Sequence, residues 1–286
     1  MIVDTHVHVW EMPPIAPIGP TAPGWKSLPD EPATAEQLIA DMDANGVDRS
    51  VLVQTSWSTW DNGYVADSAR RLPDRYVAMG LVDPLALDNA RTVRYWMRER
   101  GMAGFRLHPV YYDTPVLTSP SNRPLWRELA ALRAIVQVHM RPAHAPQIDA
   151  IAGEFADIPI LIDHLAYPDV SEAPAFDSYR PVLALARHAN VFVKVSDVKN
   201  RSKRPFPFRD VHDVIRRVRD SFGPSRMLWG TGYPGRHRLK HGWLSLADEL
   251  RLVREGFDFL TDGEKAAMLG GNASRIWSLA PTASRL

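Results

Sequence analysis

The chain has 286 residues, a length at which one closed α/β barrel still forms a single unit, so residues 1–286 are read as one domain. Its 34 basic and 33 acidic residues leave a net charge of +1, which gives no sign of a nucleic-acid surface, and no apolar run approaches the roughly eighteen residues of a membrane span. Cysteine is absent, which rules out disulfides, thiolate zinc sites and cysteine nucleophiles, so any metal must be held by nitrogen and oxygen. Met1 leads straight into a strand-like run without a basic region, apolar stretch and cleavage site, so a cytoplasmic protein is expected.

Met1 to His8 is the first strand candidate. Trp10 to Pro32, rich in Pro and Gly, reads as a long first βα loop, of the kind that is often functional. Thr34 to Asn45 is a helix with Ala35, Leu38, Ile39 and Met42 on one face and a stop at Asn45-Gly46. The alternation continues with strand Ser50 to Thr55 and helix Asn62 to Arg71, strand Tyr76 to Val82 and helix Ala90 to Arg100, strand Ala103 to His108 and helix Arg123 to Leu132. Strand Ile135 to His139 precedes helix Pro146 to Phe155, strand Ile160 to His164 precedes helix Ser178 to His188, and strand Val191 to Ser196 precedes helix Phe208 to Phe222. Arg226 to Gly230 with Ser245 to Gly256 makes the eighth unit. Eight βα units favour an α/β class (β/α)8 TIM barrel over an open doubly wound sheet. The irregular stretches Ser196 to Pro207 and Gly232 to His241 then share the carboxyl-end face with the first loop, and the tail Pro281 to Leu286 is expected to fray.

Asp4, His6 and His8 alternate along strand one and are expected on one face. Strands five and six end in His139 and His164, the level at which such a barrel does its chemistry. Any one of these histidines alone reads equally well as a packed or capping imidazole; together they point to one site. Basic residues cluster between Lys194 and His241, namely Lys194, Lys199, Arg201, Lys203, Arg204, Arg236, Arg238 and Lys240, so a local anion site is open. Arg106, near the end of strand four, and Arg141, two residues after His139, add guanidinium forks suited to a carboxylate, alongside Arg201, Arg204 or Arg236. Trp10, Trp57, Trp60, Tyr111 and Tyr167 follow strands and could wall a ring.

The ordered series DTHVHVW, VHM, DHLAYP, KVSD and MLWGTGYP resembles the amidohydrolase-related family of the amidohydrolase superfamily. That family contains sugar-acid lactonases, 2-pyrone-4,6-dicarboxylate lactonases and aminocarboxymuconate-semialdehyde-type decarboxylases. The resemblance implies that His6, His8 and His139 form the metal- or electrophile-binding set and that His164 transfers a proton or polarises a carbonyl. It also implies an aspartate at Gly232, where the family ends strand eight with Gly-Thr-Asp-Tyr-Pro. Glycine can act neither as base nor as ligand. Asp163 is expected to point away from His164's face, and Asp197 and Asp61 are the loop alternatives. A single divalent metal, zinc or manganese, is therefore expected to bind weakly or not at all.

The reading that follows is hydrolysis of a carboxylated or polyhydroxylated lactone by water, with His139, His164 and position 232 catalytic and Arg106, Arg141, Tyr167, Arg201 and Arg204 binding an acidic small molecule; glycine in place of the aspartate leaves open that this form is disabled. Non-oxidative decarboxylation on the same barrel and a non-catalytic barrel binding an acidic metabolite are the alternatives. No nucleic-acid or membrane partner is expected, and a homo-oligomer is left open.

Overall fold

The structure, a computed structural model, describes residues 1–12, 29, 31–56, 58, 60–232 and 239–280. Trp57, Arg236, Arg238, the Tyr-Pro that closes the strand-eight motif, most of the first loop and the tail lie outside the described residues.

Eight parallel strands follow in chain order around one sheet: β1 Val3–Val7, β2 Arg49–Val53, β3 Tyr76–Leu81, β4 Gly104–Leu107, β5 Ile135–Val138, β6 Ile160–Ile162, β7 Val191–Val195 and β8 Met227–Trp229. Helices stand between them as expected, from α1 at Ala35–Asn45 to the helix Arg209–Phe222, giving a nearly closed (β/α)8 barrel. Helix α1 shows how local sequence sets the boundaries. Thr34 caps its start reciprocally with Gln37, Ala35, Leu38 and Met42 are buried, and Gly46 ends it at φ 69°.

Two apolar clusters divide the packing. Alternate strand residues such as Leu52, Phe105, Val138, Ile162 and Val193 pack outward on the helices, while Val3, Val51, Val53, Met79, Leu161 and Leu228 fill the lower interior. Ala273 and Trp277 join that interior group from the helical segment after Asp262, which the sequence reading did not include. Apolar side chains thus fill the lower interior, and chemistry is left to the carboxyl ends.

The β8–β1 seam is tied by specific bonds. Thr5 Oγ1 donates to the Trp229 carbonyl at 2.6 Å, Thr231 donates its N–H and hydroxyl to the Asp4 carboxylate at 3.0 and 2.6 Å, and the Gly232 N–H reaches the His6 carbonyl at 2.6 Å. Approach this close requires glycine at 230, where a Cβ would stand 2.8 Å from that of His6. The β1 register also slips between Asp4 and Val7. Val3 therefore packs among the interior residues and His6 still reaches the site, although the two are an odd number of positions apart. Asp4, expected to share the face of His6 and His8, instead holds the seam and accepts the His6 N–H at 3.1 Å. No helix among the described residues is long and apolar enough to cross a membrane.

Candidate active site

β1 brings His6 and His8 to the carboxyl end with ring centroids 5.0 Å apart. His164, from the end of β6, lies 4.7 Å from His6, and His139, one residue beyond β5, lies 6.0 Å from His164. The four histidines singled out by the sequence therefore gather in one group at the carboxyl end of the barrel.

The residues after β6 build the floor. Asp163 and His164 should alternate if the strand continued, which is why Asp163 was expected on the opposite face. The strand stops at Ile162, however, and His164, Leu165, Ala166 and Tyr167 take four successive positive φ values, 54° to 56°. This left-handed turn breaks the alternation and turns both side chains into the site, a conformation that L-residues adopt at a cost and that concentrates where function requires it.

Asp163 is fully buried between two cations. Arg106 Nε donates to its Oδ2 at 2.7 Å, and Lys194 Nζ from β7 stands 3.3 Å from its Oδ1. Burial alone would raise its pKa; Lys194, Arg106 and His6 reverse that and hold the carboxyl well below its usual range. It is thus a poor proton acceptor. Burial pulls the Lys194 ammonium down to about 8, against the opposing pull of Asp163. Arg106 is consequently not the open fork expected for a substrate carboxylate: Nε is engaged, and Nη2 lies 3.3 Å from His164 Nε2.

Partners fix two of the imidazole tautomers. A guanidinium only donates, so His164 Nε2 accepts from Arg106 and Nδ1 donates to Ser196 Oγ at 2.9 Å. A backbone carbonyl only accepts, so His8 Nδ1 donates to Val53 O at 2.8 Å, which leaves Nε2 as the basic nitrogen of a half-buried ring. Burial pushes His6, His108, His139 and His164 well below the usual imidazole range and brings His8 to about 4, so all five are neutral near pH 7.

A second wall was missed. His108, the residue after β4, stacks on Tyr111 at 5.0 Å and meets His139 edge-on at 5.2 Å. Its Nε2 and the Nδ1 of His139 are buried without a hydrogen-bond partner among the described residues. Alternation from Arg106 predicts its direction, so the signal lay in Phe105-Arg106-Leu107-His108. Tyr167 lies against His139 at 5.1 Å, and the Arg201 guanidinium sits 4.6 Å over the Tyr167 ring while pairing with Asp197 at 3.2 Å. Arg141 and Arg204 are exposed and make no hydrogen bond or ion pair with this group. Trp10 is buried against Ala33, and Asp61 Oδ1 accepts the Gly63 N–H at 2.9 Å. Gly232 has φ 69°, a conformation in which any side chain is strained.

One ligand atom each of His6, Asp163 and His164 lies within 4.8 Å of the others, the spacing of a cation site. This is a different trio from the expected His6, His8 and His139. Its charge balance opposes a divalent ion, because the only carboxylate already contacts Arg106 and Lys194 and the His164 Nε2 lone pair accepts from Arg106. That trio does not suit a divalent ion.

The Amidohydrolase family profile matches residues 3–279. The chain belongs to the amidohydrolase family. It is 27% identical to the L-fucono-1,5-lactonase of Burkholderia ambifaria, over 97% of this chain and 95% of that one. It is 25% identical to the 4-sulfomuconolactone hydrolase of Hydrogenophaga intermedia, over 81% of this chain and 74% of that one. The fold of an amidohydrolase from Burkholderia multivorans with bound zinc superposes with a TM-score of 0.75 at 22% identity, covering 98% of this chain and 100% of that one. As a family member, this amidohydrolase is a hydrolase built on the barrel that its sequence implied.

Proposed function

We propose that this pocket hydrolyses a lactone bearing carboxylate or hydroxyl groups. The observation that carries the reading is the pairing, at one mouth, of a neutral imidazole whose Nδ1 is engaged by Val53 O, His8, and a buried cationic floor, Arg106 and Lys194, in a chain similar to two lactone hydrolases. The carbonyl oxygen sits over the imidazoles of His6 and His164, where the cations beneath stabilise developing negative charge in a site largely closed to water. His8 Nε2 takes the proton of the attacking water, a role that the strand-eight aspartate cannot fill here, and returns it to the ring oxygen as the bond from that oxygen to the carbonyl carbon breaks and the ring opens to the free acid. A pKa of about 4 makes His8 a weak base at rest; negative charge forming on the carbonyl beside it raises its affinity for the proton as the water attacks. His108, His139, Tyr111 and Tyr167 form the wall against which the rest of the acid lies.

A panel of sugar-acid lactones, muconolactones and pyrone dicarboxylates tests this, with hydroxybenzoates included, by following acid release and carbon dioxide in parallel. The expected result is acid release from at least one lactone without carbon dioxide. Carbon dioxide from an aromatic acid with every lactone intact would make the pocket a decarboxylase. Saturable binding without either product would make it a binding barrel.

A further inference from the structure

We infer that the wall of this pocket selects a lactone with a flat, conjugated ring over a puckered, polyhydroxylated one, and that Tyr111 is the specificity-determining residue. That the ring belongs to a lactone rests on the hydrolase reading; the preference for a flat ring does not.

What a ligand meets is set by which rings are open to the mouth. His6, His108 and His164 are buried, whereas His8, Tyr111, His139 and Tyr167 are half-buried. The first contacts are therefore aromatic. Strand order spreads them around His139, because β4 and β6 flank β5. Tyr111, from the turn Pro109–Tyr111 after β4, approaches His139 on one side at 5.9 Å, and Tyr167, from the turn after β6, approaches on the other at 5.1 Å.

Both tyrosines are held in place. The Tyr111 ring lies parallel to buried His108, with 6° between planes and 5.0 Å between centroids, and its hydroxyl donates to Ser56 Oγ, just beyond β2, at 3.3 Å. Pro109 opens the turn that carries Tyr111 and restricts its backbone. Tyr167 lies under the Arg201 guanidinium, which pairs in turn with Asp197. Flat surfaces that lose little freedom on binding favour an equally flat ligand, because ring-to-ring contact adds to the burial of apolar area.

Hydroxyl groups find little on this wall. Each hydroxyl of a polyol taken out of water needs a donor or acceptor. The Tyr111 hydroxyl is bonded to Ser56, the Asp163 carboxylate is held by Arg106 and Lys194, and that of Asp197 pairs with Arg201. Nε2 of His108 and Nδ1 of His139 are without partners among the described residues. Two such nitrogens suit the few polar atoms of an unsaturated lactone better than the many hydroxyls of a sugar acid.

The test is isothermal titration calorimetry of the full chain with benzene-1,3-dicarboxylate and cis-cyclohexane-1,3-dicarboxylate. The two carry the same charges on a flat and a puckered ring, and neither holds an ester to hydrolyse. Wild type is expected to bind the flat diacid at least about tenfold more tightly, with the ratio below about threefold in Tyr111→Leu and retained in Tyr111→Phe, which keeps the ring. A wild-type ratio near one or in favour of the puckered ring, no measurable binding of either diacid, or a ratio unmoved in Tyr111→Leu overturns the proposal. None of these outcomes bears on whether lactones are hydrolysed, and a failure to hydrolyse any lactone leaves the binding ratio standing. Should Tyr111→Leu fail to fold, the wild-type ratio alone decides in the same sense.

Discussion

Gly232 is where chemistry and conformation meet in a single residue. Its φ of 69° means that an aspartate there would pay for a left-handed backbone, about 1 kcal/mol for a residue type that tolerates the region better than most. The substitution therefore asks more of the fold than the strand-end position alone suggests. Its N–H bond to the His6 carbonyl places it beside the site, so a carboxylate there would also draw on the two cations that hold Asp163. Under the proposed role of His8 as base, the glycine form is expected to be active. Gly232→Asp is expected to lower stability by about 1 kcal/mol in urea melts and to change kcat on the best lactone by less than about tenfold, whereas a missing base restored typically returns ~10²- to 10⁴-fold. A rise of that larger size would show that the wild-type chain lacks a base and that His8 is not one.

Strands and helices were legible because each rests on local pattern: eight apolar runs, separated by segments of helical period with caps and stops such as Thr34 and Gly46, define the barrel. His6, His8, His139 and His164 were legible for the same reason, since strand ends mark the rim. What alternation could not give were the departures from it. The register slip in β1 diverts Asp4 to the seam, and the left-handed turn after Ile162 brings Asp163 into the site. Neither has a signature in composition, because Leu165, Ala166 and Tyr167 are not residues that announce positive φ. Lys194 was read as one charge in a basic segment; only the barrel's closure, which sets β7 near β1, shows that its ammonium reaches Thr5 and His6. His108 was in plain view, two residues after Arg106, and was passed over. The same closure shows why Arg106 is an internal partner of Asp163 before it can serve any substrate.

Across the whole molecule, five neutral histidines in one buried pocket make stability depend on pH. Their folded pKa values lie below the usual 6.5, with His8 at about 4. Above pH 6.5 neither state holds these protons and the contribution is fully present; as pH falls below 6.5 the unfolded chain binds protons that the folded chain refuses, and stability is lost toward the folded values. Each such proton contributes a slope of up to about 1.4 kcal/mol per pH unit. Urea midpoints should therefore fall steeply from about pH 6.5 to about pH 5. A flat profile would mean that the imidazoles are exposed or charged in the native protein.

The barrel divides into an apolar lower interior and a polar mouth, where Arg106 and Lys194 hold Asp163 and, under the proposed function, stabilise the charge of the reacting carbonyl without a divalent ion. Lactone turnover by protein dialysed against a chelator, with zinc and manganese counted in the same sample, tests this most directly. The expected result is an unchanged rate at far less than one metal per chain. A rate that disappears with the metal and returns on adding zinc would contradict it.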